Sequence, residues 1–197
     1  MDAINVKETG GRERRVCGVL FAFLVATAFV LAAYAQGLQD FHARVVRVTD
    51  GDTMVVDDAD GFRHKVRIVS IDAPEKGWRG DTGQAYAERA RQNLARLVED
   101  RSVFLDAREL DDYGRVLARV WVGSAGEQAG TDVGLAQVCA GYAWFYEIFA
   151  SSLAPADQKA YRACQMAAMD DKLGLWRASN PVPPWVWRHT GSGAREH

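Results

Sequence analysis

From Phe41 onward the apolar positions recur with the spacing of strands. Phe41 to Thr49 and Thr53 to Asp57 flank the turn Asp50-Gly51-Asp52, and Phe62 to Ile71 follows a second turn, Asp58-Ala59-Asp60-Gly61. Three strands joined by two tight turns predict a meander. Between Gln84 and Glu99 the period changes: Ala87, Ala90, Leu94, Leu97 and Val98 fall on one helical face, while Glu88, Arg89, Arg91, Gln92 and Arg96 fall largely elsewhere. Two more strand-like runs follow, Ser102 to Asp106 and Val116 to Val122, separated by the polar loop Ala107 to Arg115. Asp132 is placed to cap a short helix that runs through Cys139 and stops at Gly141; a longer helix starts at Asp157 and reaches about Lys172, before Gly174. The Pro- and Trp-rich stretch Pro181 to Trp187 reads as extended chain lying against the domain, because its prolines oppose a regular helix, with a disordered end from Gly191.

Three strands, a helix, two strands and two helices, with no internal repeat, predict a mainly β chain with helices (α+β). The order suits a five-stranded Greek-key barrel of the OB type with three helices, one of them inserted between the third and fourth strands. Such barrels commonly bind oligonucleotides. A chain of 197 residues has room for one such domain, at 36–178, followed by a tail at 179–197.

The first 35 residues follow a different logic. Arg12, Arg14 and Arg15 precede an apolar run from Val16 to Ala33 that carries no charge, and Ala33-Tyr34-Ala35 forms the small-x-small pattern at which a signal peptide is cut, leaving Gln36 first. Eighteen apolar residues also reach the lower limit of a membrane-spanning helix. The segment is therefore a cleaved export signal or an uncleaved anchor. The domain is expected outside the cytoplasm in both cases, periplasmic or secreted in the first and held to the membrane by residues 16–33 in the second.

Charge narrows the ways in which a polyanion could be bound. The whole chain is at −2, and removing residues 1–35, with four basic and three acidic groups, leaves the remainder near −3. No broad basic field exists, so affinity for nucleic acid must come from a local cluster and a bound cation. Of the three cysteines, Cys17 lies in the export segment; Cys139 and Cys164 remain as an even pair, open to a disulfide or to two separate buried thiols. His42, His64, His189 and His197 show no zinc-ligand spacing.

Candidate chemistry lies in three short stretches. Asp50-Gly51-Asp52-Thr53 is, by itself, a hairpin turn; an EF-hand loop counted from Asp50 fails because Met54 and Val55 stand where an oxygen ligand and a glycine are needed. Arg67 precedes Asp72-Ala73-Pro74-Glu75 by five residues, which gathers a guanidinium and two carboxylates at a strand end. Arg67 and Ile71 share a pleat face, so the chain must leave the strand near Asp72, an exit that Pro74 enforces. Asp111-Asp112-Tyr113-Gly114-Arg115 sets a second arginine after a turn, just before the fifth strand. Taken singly, each of these is an ordinary turn or surface ion pair.

Together, in this order and spacing, DGDT, VRIVSIDAPE, DDYGRVLARV, GYAW and GLW resemble the staphylococcal nuclease (thermonuclease) family over roughly Val45 to Trp176. The resemblance implies a five-stranded OB barrel with three helices and calcium-dependent hydrolysis of DNA and RNA. It assigns Asp52 and Asp72 as calcium carboxylates, the position of Ala73 as a backbone carbonyl ligand, Glu75 as general base or water-orienting group, and Arg67 and Arg115 to the phosphate. Tyr113 falls beside the substrate. Many relatives have Thr where Ala73 stands, and the tyrosines that pack on bound nucleotide in the best-known members align with Glu147 and Phe149. The chain is expected to be a monomer acting on DNA and/or RNA. A non-catalytic binding module, and a tethered structural protein using calcium only for stability, are the alternatives; the first would lack site acids or arginines, and the second leaves the two arginines unexplained.

Overall fold

A computed structural model describes residues 40–77, 82–123 and 130–190. The apolar segment at 16–33 and the end from Gly191 lie outside the described residues. In chain order the elements are β1 (Phe41–Val48), β2 (Thr53–Asp58), β3 (Arg63–Ile68), β4 (Ile71–Asp72), α1 (Ala87–Val98), β5 (Ser102–Leu110), β6 (Val116–Gly123), β7 (Gly130–Asp132), α2 (Val133–Cys139), β8 (Trp144–Phe145), α3 (Pro155–Asp170) and the single turn α4 (Pro184–Trp187). Short 3-10 turns occupy Glu147–Ser152 and Gly174–Arg177.

β1, β2 and β3 form the antiparallel meander, β1 pairs on its other side with β5, and β5 pairs with β6. Parallel pairing of β3 with β6, Arg67 opposite Leu117, closes these five strands into a barrel. Irregular register at Val45/Arg47 and Ala107/Glu109 supplies the bends that closure needs. Inside lie Val45, Met54, Val56, Val66, Ile68, Leu105 and Val120, with Ala90, Leu94 and Val98 of α1 packed against them. Burying a side chain such as Leu94 contributes about 1.5–3 kcal/mol.

Three expectations are corrected. β5 runs on to Leu110, through residues that read as loop, because the end of the β5–β6 hairpin projects past the core: polar Arg108 and Glu109 and apolar Leu110 are all exposed, so no alternation marks the strand. The third strand breaks at Ser70 and not at Asp72-Pro74. Ser70 takes a left-handed conformation (φ 62°), and its carbonyl and hydroxyl bond the segment after β8: Tyr146 N donates to Ser70 O at 2.8 Å, and Ser70 Oγ to Phe149 O at 3.1 Å. The tail is not extended throughout. Pro183 caps α4 and Pro184 is its first residue, where a missing N–H costs nothing and φ is already helical.

The carboxyl-terminal half packs through one buried polar network and one covalent link. Asp132 caps α2 by accepting from Leu135 N at 3.1 Å, pairs with Arg119 at 3.0 Å, and accepts the Tyr161 hydroxyl at 2.9 Å. Burial and the Asp132 charge push the Tyr161 phenol upward, keeping it a donor. Cys139 of α2 and Cys164 of α3 form a disulfide, with Cα atoms 4.5 Å apart and a sequence separation of 25. By chain entropy the link should contribute about 3 kcal/mol. Urea unfolding with and without reductant measures it, and coincident midpoints would overturn that value.

The glycines of the GYAW and GLW motifs are structural. Leu175 N donates to Gly141 O at 2.8 Å, and a Cβ on Gly174 would lie 2.0 Å from that oxygen. Both glycines have positive φ, so the contact needs two residues without side chains. It holds Trp176 against Trp144, ring centroids 4.3 Å apart, at the edge of the site described next.

Candidate active site

Adjacent strands bring the first two motifs together. Thr53 of β2 is the register partner of Arg67 of β3, and Ile68 N donates to Asp52 O at 2.9 Å, so the residue before β2 sits beside the end of β3. Asp52 is 4% exposed; its carboxylate accepts from Thr53 Oγ1 at 2.8 Å and from Ala73 N at 3.0 Å. Asp72, on β4, is fully buried. Arg67 bridges the two, 2.7 Å from Asp52 and 2.7 Å from Asp72. Burial alone would lower its pKa, but the two carboxylates prevail and raise it, fixing Arg67 as a cation. The break at Ser70 brings Asp72 onto Arg67, the contact that the five-residue spacing predicts, and Asp52 joins them from the turn before β2.

Glu75 stands beyond Pro74 on a segment held from both sides: Glu75 N donates to Gln84 Oε1 at 2.8 Å and Gln84 N to Glu75 O at 2.8 Å. Burial raises the Glu75 carboxyl, and the charges of Asp52 and Asp72 add to the rise, against a bond from Arg188 that lowers it. A carboxylate with a raised pKa is a better acceptor of a proton from water than an ordinary one. Asp50, one turn position before Gly51, joins the same field; burial, then the Asp52 charge, push it up to about 7. The hairpin reading of the DGDT turn explains Asp50 without any role in this cluster, which is why its chemistry went unread.

Arg115 and Tyr113 sit apart from that cluster. Asp111 accepts from Arg115 N at 2.8 Å and from Arg115 Nε at 2.6 Å, and the Arg115 guanidinium lies over the Tyr113 ring, 5.3 Å from its centroid. Burial would raise the Asp111 carboxyl, but the Arg115 N–H groups hold it below its usual value. Among the described residues Arg115 bonds Asp111 and not the Asp52–Asp72 pair. It precedes Leu117, the partner of Arg67, by two residues and stands just before β6.

Two groups escaped the sequence reading. Trp144 is the register partner of Asp72 in the β4–β8 pair, and Tyr146 follows it; Phe145 between them points into the core. Three consecutive aromatics, Trp144-Phe145-Tyr146, are a strand signal that could have found them. Glu147, by contrast, turns to Arg162 at 3.0 Å, and Phe149 packs against Tyr146 with centroids 4.9 Å apart. The second group is Arg188 in the tail, which bonds Asp72 at 2.8 Å and also Glu75. No local pattern marks it, since its partners are more than a hundred residues away.

Hard cations take oxygen ligands, and this donor set is all oxygen. Among the described residues no three His, Cys, Asp or Glu side chains form a ready metal cage. What exists is a buried carboxylate pair, Asp52 and Asp72, with Glu75 near enough to feel both charges. The set fits a hard divalent cation, provided that the guanidinium of Arg188 gives way at Asp72.

The family model described as Staphylococcal nuclease homologue matches residues 65–178. Protein ParB of Escherichia coli is 36% identical over 188 residues, 93% of this chain and 98% of that protein. The Micrococcal nuclease of Shigella flexneri is 36% identical over 174 residues, 86% of this chain and 93% of the relative. The Thermonuclease of Staphylococcus hyicus is 39% identical over 82 residues, 41% of this chain and 48% of the relative. With the closed barrel and the Asp52–Arg67–Asp72 cluster, these matches place the chain in the staphylococcal nuclease family.

Proposed function

We propose that this chain is an exported, calcium-dependent nuclease that hydrolyses phosphodiester bonds of DNA and/or RNA. The observation that carries the reading is the convergence of Asp52, Arg67 and Asp72 with Glu75 at one end of an OB barrel. Relatives named as nucleases and endonucleases support it. Asp52, Asp72 and the backbone carbonyl of Ala73 would hold calcium, which when bound supplies positive charge against a phosphate oxygen. Glu75 orients the attacking water and takes its proton. Arg67 and Arg115 donate N–H bonds to the oxygens on which charge builds in the transition state, and Tyr113 lies along the substrate beside Arg115. Export rests on Val16 to Ala33 and the Ala33-Tyr34-Ala35 site.

The full chain incubated with single-stranded DNA, duplex DNA and RNA, in calcium or in chelator, should cut at least one substrate in calcium alone. No cleavage of any substrate would end the enzyme reading and favour a binding module. Equal cleavage in chelator would end the calcium assignment.

A further inference from the structure

The carboxyl-terminal segment is fastened across the site at three points. Gln84 Nε2, whose amide also receives Glu75 N, donates to Val182 O at 2.9 Å. Trp185 stacks on Tyr146, centroids 4.7 Å apart and planes within 6°, and meets Trp144 edge-on at 5.7 Å. One helical turn on, Arg188 spreads its guanidinium over two carboxylates: its Nη2 is 2.8 Å and its Nη1 3.3 Å from the oxygens of Asp72, and Nη1 also bonds Glu75. The burial of Asp72 is thus shared between Arg67 on one side and Arg188 on the other, and Arg188 keeps 29% of its side chain exposed. Arg67 grows from the barrel wall; Arg188 comes from a single turn after two prolines.

We infer that the segment Pro181 to Thr190 is a resident competitor for the cation: with Arg188 on Asp72 and Glu75 the strap is closed, and a divalent cation binds only as Arg188 withdraws. This rests on the reading of Asp52 and Asp72 as cation ligands. Oxygen Oδ2 of Asp72 accepts from Arg188 Nη2, and a guanidinium and a cation cannot share that approach. Asp52, Asp72 and Glu75 are held by Arg67 and Arg188 together, so losing Arg188 without gaining a cation leaves buried negative charge uncompensated. Exchange of one positive group for another is the lower-cost course. Linkage is reciprocal: the factor by which docking weakens calcium is the factor by which calcium loosens the strap. The Trp185 stack fixes where the segment returns when the cation leaves.

Two measurements test this without relying on turnover. Calorimetric titration of the full chain with calcium should show Arg188→Ala binding at least about tenfold more tightly than the unchanged chain, within the usual 5- to 150-fold span of coupled sites. Trypsin cuts after arginine, and Arg188 held by two carboxylates is a poor target; calcium should speed release of the peptide beginning at His189 by a similar factor. A free peptide spanning 181–197, cut at equal rates with and without calcium, controls for the protease. The cleavage test uses the unaltered chain, so it stands even if Arg188→Ala fails to fold. Unchanged or weaker calcium binding in Arg188→Ala, or calcium-independent cleavage, overturns the competitor. Asp52→Asn separates the levels: if it binds calcium as well as the unchanged chain, the ligand assignment falls and the strap with it. If Asp52→Asn binds weakly and Arg188→Ala no tighter, only the strap falls.

Discussion

Arg67→Lys should lower kcat by about 10²- to 10³-fold while the chain still folds, the cost of removing one transition-state donor from a preorganised site. Lysine keeps a positive charge between Asp52 and Asp72, which lie on two arms of the guanidinium at 2.7 Å each. It cannot keep the planar fork that faces both carboxylates and still offers an N–H to a phosphate oxygen. Arg67→Ala is the harsher change. It leaves two buried carboxylates without their shared cation, a loss of about 3–5 kcal/mol in comparable buried pairs, so its inactivity would mix folding with chemistry. The informative comparison is therefore Arg67→Lys turnover at saturating calcium set beside its thermal melting. Near-normal turnover would mean that Arg67 only neutralises the two acids. Arg115→Ala should also lose orders of magnitude in rate but little stability, because its bond to Asp111 lies on an outer turn.

How far the sequence could be read follows from how local each signal is. The meander, α1 and the fifth barrel strand are written in nearby residues, with alternation, a change of period and Asp-Gly turns all within short windows. The Arg67–Asp72 contact is legible for the same reason, a spacing of five residues across a strand end. Where exposure replaces burial, the signal fades: the end of β5 projects past the core, and its polar residues looked like loop. Ser70 breaks β3 because a distant segment, Tyr146 to Phe149, bonds its carbonyl and hydroxyl, and nothing in Val69-Ser70 announces that partner. The tail failed in another way. Prolines oppose a helix interior, but Pro183 and Pro184 sit at the cap and first position, where they start one. Arg188 then follows from tertiary packing alone, through Trp185 on Tyr146 and Val182 on Gln84. Asp50 was seen but explained away, since a turn accounts for an aspartate until its burial beside Asp52 is known.

Glu75→Gln and Asp52→Asn should fail in different ways. Glutamine keeps the shape of Glu75 and an acceptor oxygen, and the backbone bonds with Gln84 do not involve the side chain. It cannot take a proton from water, and general-base contributions are typically about 10²- to 10⁴-fold. The same change removes one of the two carboxylates that hold Arg188, so calcium affinity should hold or rise, and the lost rate should persist at saturating calcium. Asp52 is buried, and its charge is shared between Arg67 and the Ala73 N–H. Asparagine there removes a carboxylate from the cation and an anion from Arg67, so calcium binding weakens and part of the rate should return as calcium is raised. Measuring kcat against calcium concentration for both variants separates the roles. A Glu75→Gln enzyme restored to near-normal rates by excess calcium would make Glu75 a metal ligand and not the group that acts on water. Failure of calcium to recover any Asp52→Asn activity would instead point to Asp52 as the anchor that orients Arg67.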